Sequence, residues 1–89
     1  MSNVIATHAV GNMDTWLAGG EERAALFSKF CKSYRIYRDP RQAKVSIVFE
    51  DVDMPKLEAT LASPETAATA AKHTVIQPID LQLEVANAH

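Results

Sequence analysis

The hydrophobic periodicities of this 89-residue sequence predict an α+β fold of order β-α-β-β-α-β on a four-stranded antiparallel sheet. Three observations carry that prediction. Apolar and β-branched residues cluster in two strand-length runs, Val4 to Val10 and Ala43 to Glu50. Between them, Trp16, Gly20, Ala24, Phe27 and Cys31 recur at helical spacing. Near the end, Ile79, Leu81, Leu83 and Val85 alternate with Asp80, Gln82 and Glu84 at a clean period of two.

Each element has a local reason. Val4 to Val10 ends at Gly11-Asn12, and Asp14 is placed to cap the following helix, since its carboxylate accepts unpaired N–H groups of the first turn. Leu17, Leu26 and Phe30 flank the apolar stripe of that helix. Glycine costs about 1 kcal/mol in a helix interior, so Gly19-Gly20 predicts a break, with Glu21 and Glu22 opening the second piece at its positive dipole end. Ser33 to Arg38 reads as a strand, Asp39-Pro40-Arg41-Gln42 as a turn with Pro40 presetting φ, and Ala43 to Glu50 as the returning strand. Pro55 suits the first turn of a short helix through Leu57 to Ala62, and Ser63-Pro64 caps and starts another, Pro64 to His73, made mostly of Ala and Thr. Thr74 to Pro78 then connects to the last strand.

This order is the ferredoxin-like split βαβ arrangement, in which helices cover one sheet face and leave the other bare. The first and third strands carry apolar or small residues on both faces, and a bare apolar face in water predicts packing against a second copy, hence a homodimer. Length and composition agree. At 47% hydrophobic and 22% charged the chain is an ordinary globular one, expected to be a single domain over 1–89. A domain this small buries only about 60–65% of its unfolded surface, so a partner surface helps it.

Several function classes are disfavoured. A net charge of −2 lacks the surplus that neutralises phosphates, so no nucleic-acid partner is expected. Apolar runs such as Val45 to Phe49 fall short of the roughly 20 residues of a membrane helix. Met1 to Val4 lacks the start of a secretory signal and the single Cys31 closes no internal disulfide, which together predict a cytoplasmic protein. No GxSxG elbow, phosphate loop or dinucleotide fingerprint is present, and the histidines and lone cysteine lack metal-motif spacing, so neither cofactor nor metal is expected.

His8-Ala9-Val10, Asp14-Thr15-Trp16, Tyr37-Arg38-Asp39-Pro40, Val45 to Asp51 and Leu61-Ala62-Ser63-Pro64-Glu65 together resemble, over almost the whole chain, the small dimeric α/β-barrel proteins related to antibiotic-biosynthesis monooxygenases. The resemblance implies a dimeric α/β barrel and a small-molecule pocket between helices and sheet. It implies a protein similar to cofactor-independent monooxygenases or cyclases, with a non-catalytic dimeric binding or structural module as the alternative. A departure is Phe30-Cys31-Lys32-Ser33, where such proteins usually carry a glycine before the second strand.

His8 lies within a strand, where an imidazole is held rigidly for proton transfer, and Tyr37 is its candidate catalytic companion; the alternative for His8 is a hydrogen-bonded structural histidine. Trp16, Phe27, Tyr34, Phe49 and His73 are the candidate ligand-binding residues, the aromatics competing with a plain core role and His73 with a helix-end contact. His89 is terminal and is assigned no role. Cys31 lies on the apolar stripe despite Lys29 and Lys32 nearby and reads as inert. Lys29, Lys32, Arg35, Arg38, Arg41 and Lys44 crowd one stretch with Asp39 as its only acid; they read as solvated charge, an anion-attracting patch being the alternative.

Overall fold

A computed structural model of the chain describes residues 2–85. Its elements run β1 (Ser2–Val10), α1 (Met13–Ala18), α2 (Gly20–Phe27), β2 (Ser33–Arg38), β3 (Lys44–Val52), α3 (Met54–Leu61), α4 (Pro64–Lys72) and β4 (Val75–Leu83). The strands form one antiparallel sheet in the order β2-β3-β1-β4, the β-α-β-β-α-β arrangement with each helical segment divided in two. His89, assigned no role above, lies outside the described residues.

The helix breaks have covalent and capping causes. Asn12 rather than Asp14 caps α1: its side-chain oxygen accepts the Thr15 N–H at 3.0 Å, because Asn12 has the extended backbone that a cap needs, whereas Asp14 already lies inside the helix. Gly19 closes α1 and precedes α2, as the glycine pair predicts. Asp53 caps α3 and Ser63 caps α4, each with proline in the first turn. The turn at Cys31-Lys32 into β2 needs no left-handed residue; among the described residues only Asp51 and Thr74 have positive φ without being glycine.

Thr74 is the costlier of these two, since a β-branched side chain at φ 61° crowds its own backbone. Its neighbours hold it there. The Thr74 carbonyl accepts the Gly11 N–H at 2.7 Å, and its hydroxyl oxygen accepts the Asn12 N–H at 2.9 Å. The start of α1 is thereby tied to the start of β4.

Burial alternates along β1 and β3, so one face of the sheet is the core face. Val4, Ala6, Val10, Val45, Ile47 and Phe49 pack there against Trp16, Phe30 and Leu57 from the helical layer. Each of the buried Val, Ile, Leu and Phe side chains among them is worth about 1.5–3 kcal/mol relative to exposure. The opposite face presents rows set by the register: Arg35, Val48, Ile5 and Gln82 in one, Tyr37, Ser46, Thr7 and Asp80 in the next.

The last strand starts earlier than its alternation predicts, at Val75 instead of Ile79, and it is irregular. Thr7 pairs with Asp80 and Ala9 with Ile76, so β4 advances four residues while β1 advances two. The two extra residues fall opposite His8, in a stretch containing Pro78, which has no N–H to give to a ladder. His8 pairs with Val45 on β3 and lacks a partner on β4.

Candidate functional site

The gap in the ladder beside His8 adjoins a cavity. It measures about 80 Å³, several times the roughly 10–15 Å³ that one water needs. His8 and Ala6 supply its sheet wall, Trp16, Arg23 and Leu26 the α1–α2 wall, and Thr66, Thr69 and Ala70 the α4 wall. The small side chains of α4 are the reason space remains: no residue of that helix is fully buried, so it stands off the sheet without filling the gap. Leu61, Ile79 and Leu81 line both the cavity and the groove beside it, which runs between α4 and β4.

His8 is 6% exposed and its Nδ1 lies 2.8 Å from the Ala9 carbonyl oxygen. A carbonyl can only accept, so Nδ1 carries the hydrogen and Nε2 keeps the lone pair. Burial holds the His8 pKa below its ordinary value of 6.5, outweighing the Ala9 hydrogen bond that raises it, and the Arg23 charge lowers it further. The ring is therefore a neutral base near pH 7, edge-on to Trp16 at a centroid distance of 6.1 Å.

Arg23 is the residue the sequence reading missed. Its signal was present: positions 16, 20, 23 and 27 fall on one helical face, and that face is the buried one. Arg23 is 6% exposed, and its guanidinium lies 3.6 Å over the Trp16 ring, donates from Nη1 to the Trp16 carbonyl, and also reaches His73 Nδ1 at 3.2 Å. A guanidinium has no lone pair to offer, so Nδ1 of His73 accepts. The hydrogen of His73 then sits on Nε2, which faces Glu22 Oε2 at 3.2 Å. Lys72 binds the other Glu22 oxygen at 2.5 Å, and that hydrogen bond leads the causes holding the Glu22 carboxyl below its ordinary range. Arg23 Nε and Trp16 Nε1, both buried, lack hydrogen-bond partners among the described residues.

The other expected site residues divide between cavity and core. Trp16, Phe27 and His73 line the cavity with His8. Tyr34 and Phe49 pack edge-to-face on Phe27, Phe27 to Phe49 at a centroid distance of 4.8 Å, with Phe30 edge-to-face on Phe49, and neither Tyr34 nor Phe49 lines the cavity. Tyr37 is 53% exposed and shares its row with Ser46 and Thr7 on the face away from the helices, so it does not meet His8. Burial pushes the Cys31 thiol up, against the activation that neighbouring lysines would give. Of the basic stretch, Arg35 pairs with Glu50 and Lys29 with Glu65, both at the surface. Among the described residues no three potential metal ligands stand together, and no helix is long and apolar enough to cross a membrane.

Two outcomes follow from this geometry. A Cβ added at Gly19 would stand 2.4 Å from His73 Nε2, whereas one at Gly20 meets nothing nearer than 3.9 Å. Gly19→Ala is expected to lose about 1–3 kcal/mol by overpacking against a ring held on both sides, and Gly20→Ala to stay within about 0.5 kcal/mol, as read by urea denaturation. His8 supplies a pH dependence. Its folded pKa lies below the unfolded 6.5, so the unfolded chain takes up the proton first. The stability tied to the neutral ring is complete above pH 6.5 and is lost as pH falls toward the folded value. His8→Gln should flatten that acid-side slope in denaturation profiles, and an unchanged slope would contradict the assignment.

The fold has close counterparts among solved structures. An antibiotic biosynthesis monooxygenase matches with a TM-score of 0.72 at 18% identity, over 99% of this chain and 100% of its own. The cofactor-independent oxygenase SnoaB from Streptomyces nogalater matches at 0.64 and 16% identity, over 99% of this chain and 93% of that one. An uncharacterized NIPSNAP domain protein from Burkholderia xenovorans matches at 0.67 and 13% identity, over 99% and 96%. No protein-family model matches the sequence, and no curated protein does. Likeness at such identities speaks to architecture and leaves chemistry to the site itself. The chain therefore has the ferredoxin-like fold of the antibiotic biosynthesis monooxygenases.

Proposed function

We propose that this chain is a cytoplasmic homodimer that binds one small, largely apolar organic molecule per subunit in the His8 cavity, and that His8 takes a proton from it. The single observation that carries this reading is the His8 ring itself. Its Nδ1 is fixed on the Ala9 carbonyl, its lone pair is left on Nε2, its pKa is depressed, and it lines a cavity. The reaction class is proton abstraction from a carbon or oxygen acid, the opening step of a cofactor-free oxygenation and equally of an isomerisation or cyclisation. Trp16 and Phe27 supply apolar wall for the ligand body. Tyr37, on the opposite sheet face, belongs in this reading to the subunit interface rather than to the cavity. The free Cys31 suits a reducing compartment.

One observation favours the non-catalytic alternative. The group orienting His8 is a backbone carbonyl rather than a carboxylate that would stabilise an imidazolium, so the ring has an orienter and, among the described residues, lacks a charge partner. Exchange chemistry separates the two readings. In deuterated buffer, a panel of small ketones is incubated with the protein and loss of the α C–H signals is followed by proton NMR. Acceleration by wild type that falls at least 100-fold in His8→Gln, with the fold intact, is expected for the proton-transfer role. Probes that bind without exchanging assign the chain to the binding module.

The dimer rests on the sheet face that the helices leave open. Ile5, Val48 and Ile76 stand there with Thr7 and Ser46, whose hydroxyls pair at 3.0 Å, and with Tyr37. Light scattering at micromolar concentration should give twice the 9.8 kDa chain mass, and Ile5→Lys should return it to the single-chain value. A wild-type protein of single-chain mass would contradict the dimer.

A further inference from the structure

The cavity has a charge imbalance that its own residues do not correct. Arg23 is almost wholly buried, yet no carboxylate pairs with it among the described residues. The acid next to it in sequence, Glu22, is already engaged by Lys72 and by His73. With its Nδ1 lone pair turned to Arg23, His73 carries no charge in this arrangement. Glu22 and Lys72 therefore cancel, and the cluster is left with one positive charge. Burying a guanidinium without a counter-charge is costly, as is leaving buried donors unpaired. Both conditions meet at one wall: Arg23 Nε and Trp16 Nε1 belong to stacked residues that line the cavity, and neither has an acceptor among the described residues.

We propose that the ligand of this cavity is a small monoanion, an apolar body bearing one carboxylate, whose oxygens are seated against the Arg23–Trp16 wall. This rests on the reading that the cavity holds a small organic molecule, and adds its chemical class. A carboxylate supplies, beside the Arg23 guanidinium, the single negative charge that is missing, and it contributes nothing that the site already has. The rest of the lining, with Leu26, Phe27, Ile47 and Ile79, suits an apolar body. The size of the cavity, about 80 Å³, keeps that body small or leaves part of it in the groove toward Leu61 and Leu81. A neutral ligand would leave the charge of Arg23 uncompensated, and a dianion would overcompensate it.

The probes are benzoate and its neutral counterpart benzyl alcohol, titrated at pH 7.5 into the full chain. Trp16 is the only tryptophan, so its indole N–H gives one resonance that reports on this wall. Benzoate is expected to bind at least tenfold tighter than benzyl alcohol and to shift that resonance. In Arg23→Met the preference should vanish while benzyl alcohol still binds. Should Arg23→Met fail to fold, the wild-type preference together with the indole shift decides the matter. Equal binding of the two probes, or a preference for benzyl alcohol, overturns the anion and leaves the cavity reading standing. Benzoate binding that survives in Arg23→Met and leaves the indole unmoved belongs to surface lysines and arginines and also overturns it. Binding of neither probe removes the cavity reading, and this inference with it.

Discussion

Arg23 is buried over the ring of Trp16, and much of the helical layer is arranged around keeping it there. Its stem reaches inward from α2, its guanidinium covers the indole at 3.6 Å, and Nη1 divides its hydrogens between the Trp16 carbonyl and His73. That contact joins the end of α1 and the middle of α2 to the end of α4, 50 positions further along the chain. His73 approaches close enough only because Gly19 carries no side chain. The break between α1 and α2 is in this sense a packing requirement as well as a capping one: the glycine that ends one helix leaves the room that the other helix's histidine occupies.

The cavity is a consequence of the same arrangement. Holding α4 by its C-terminal end, through His73 on Arg23 and Lys72 on Glu22, fixes that end of the helix near α2. Along the rest of α4, Thr66, Thr69 and Ala70 are too short to fill the distance to Ala6 and His8 on the sheet. Larger side chains at those positions would close the space. The β4 strand adds to the opening, because its two extra residues opposite His8 interrupt the ladder at the point where the imidazole stands. A histidine in the middle of a regular sheet is ordinarily flanked on both sides; this one is flanked on β3 alone.

Hydrogen-bond accounting gives the site its polarity. Every carbonyl accepts and every guanidinium donates, so the two histidines are forced into opposite tautomers, with hydrogen on Nδ1 in His8 and on Nε2 in His73. One presents an acceptor, the other is consumed in holding Arg23. The histidines thus divide into a candidate reactive group and a positioning group.

The strands, their antiparallel order and the helices between them were legible in the sequence, because periods of two and of 3.6 record which face of each element meets the core. His8, Trp16, Phe27 and His73 were legible as site candidates because they are rare residue types on those faces. The cap at Asn12 was missed by two positions, since Asn and Asp are near-equal caps and only the backbone angles distinguish them. Arg23 was passed over because a charged residue on a helix is ordinarily solvated, although its register with Trp16 pointed inward. Tyr34 and Tyr37 are three residues apart in one strand and so point to opposite faces, which separates them however similar their chemistry. The sequence by itself determined the elements, their faces and the absence of a phosphate-loop or metal motif, for these are local properties of spacing and residue type. Tertiary structure alone decided that His73 would meet Arg23 across 50 positions, that β4 would slip beside His8, and that a buried guanidinium with no carboxylate partner among the described residues would line the cavity, because each depends on the distance between elements that no local period encodes.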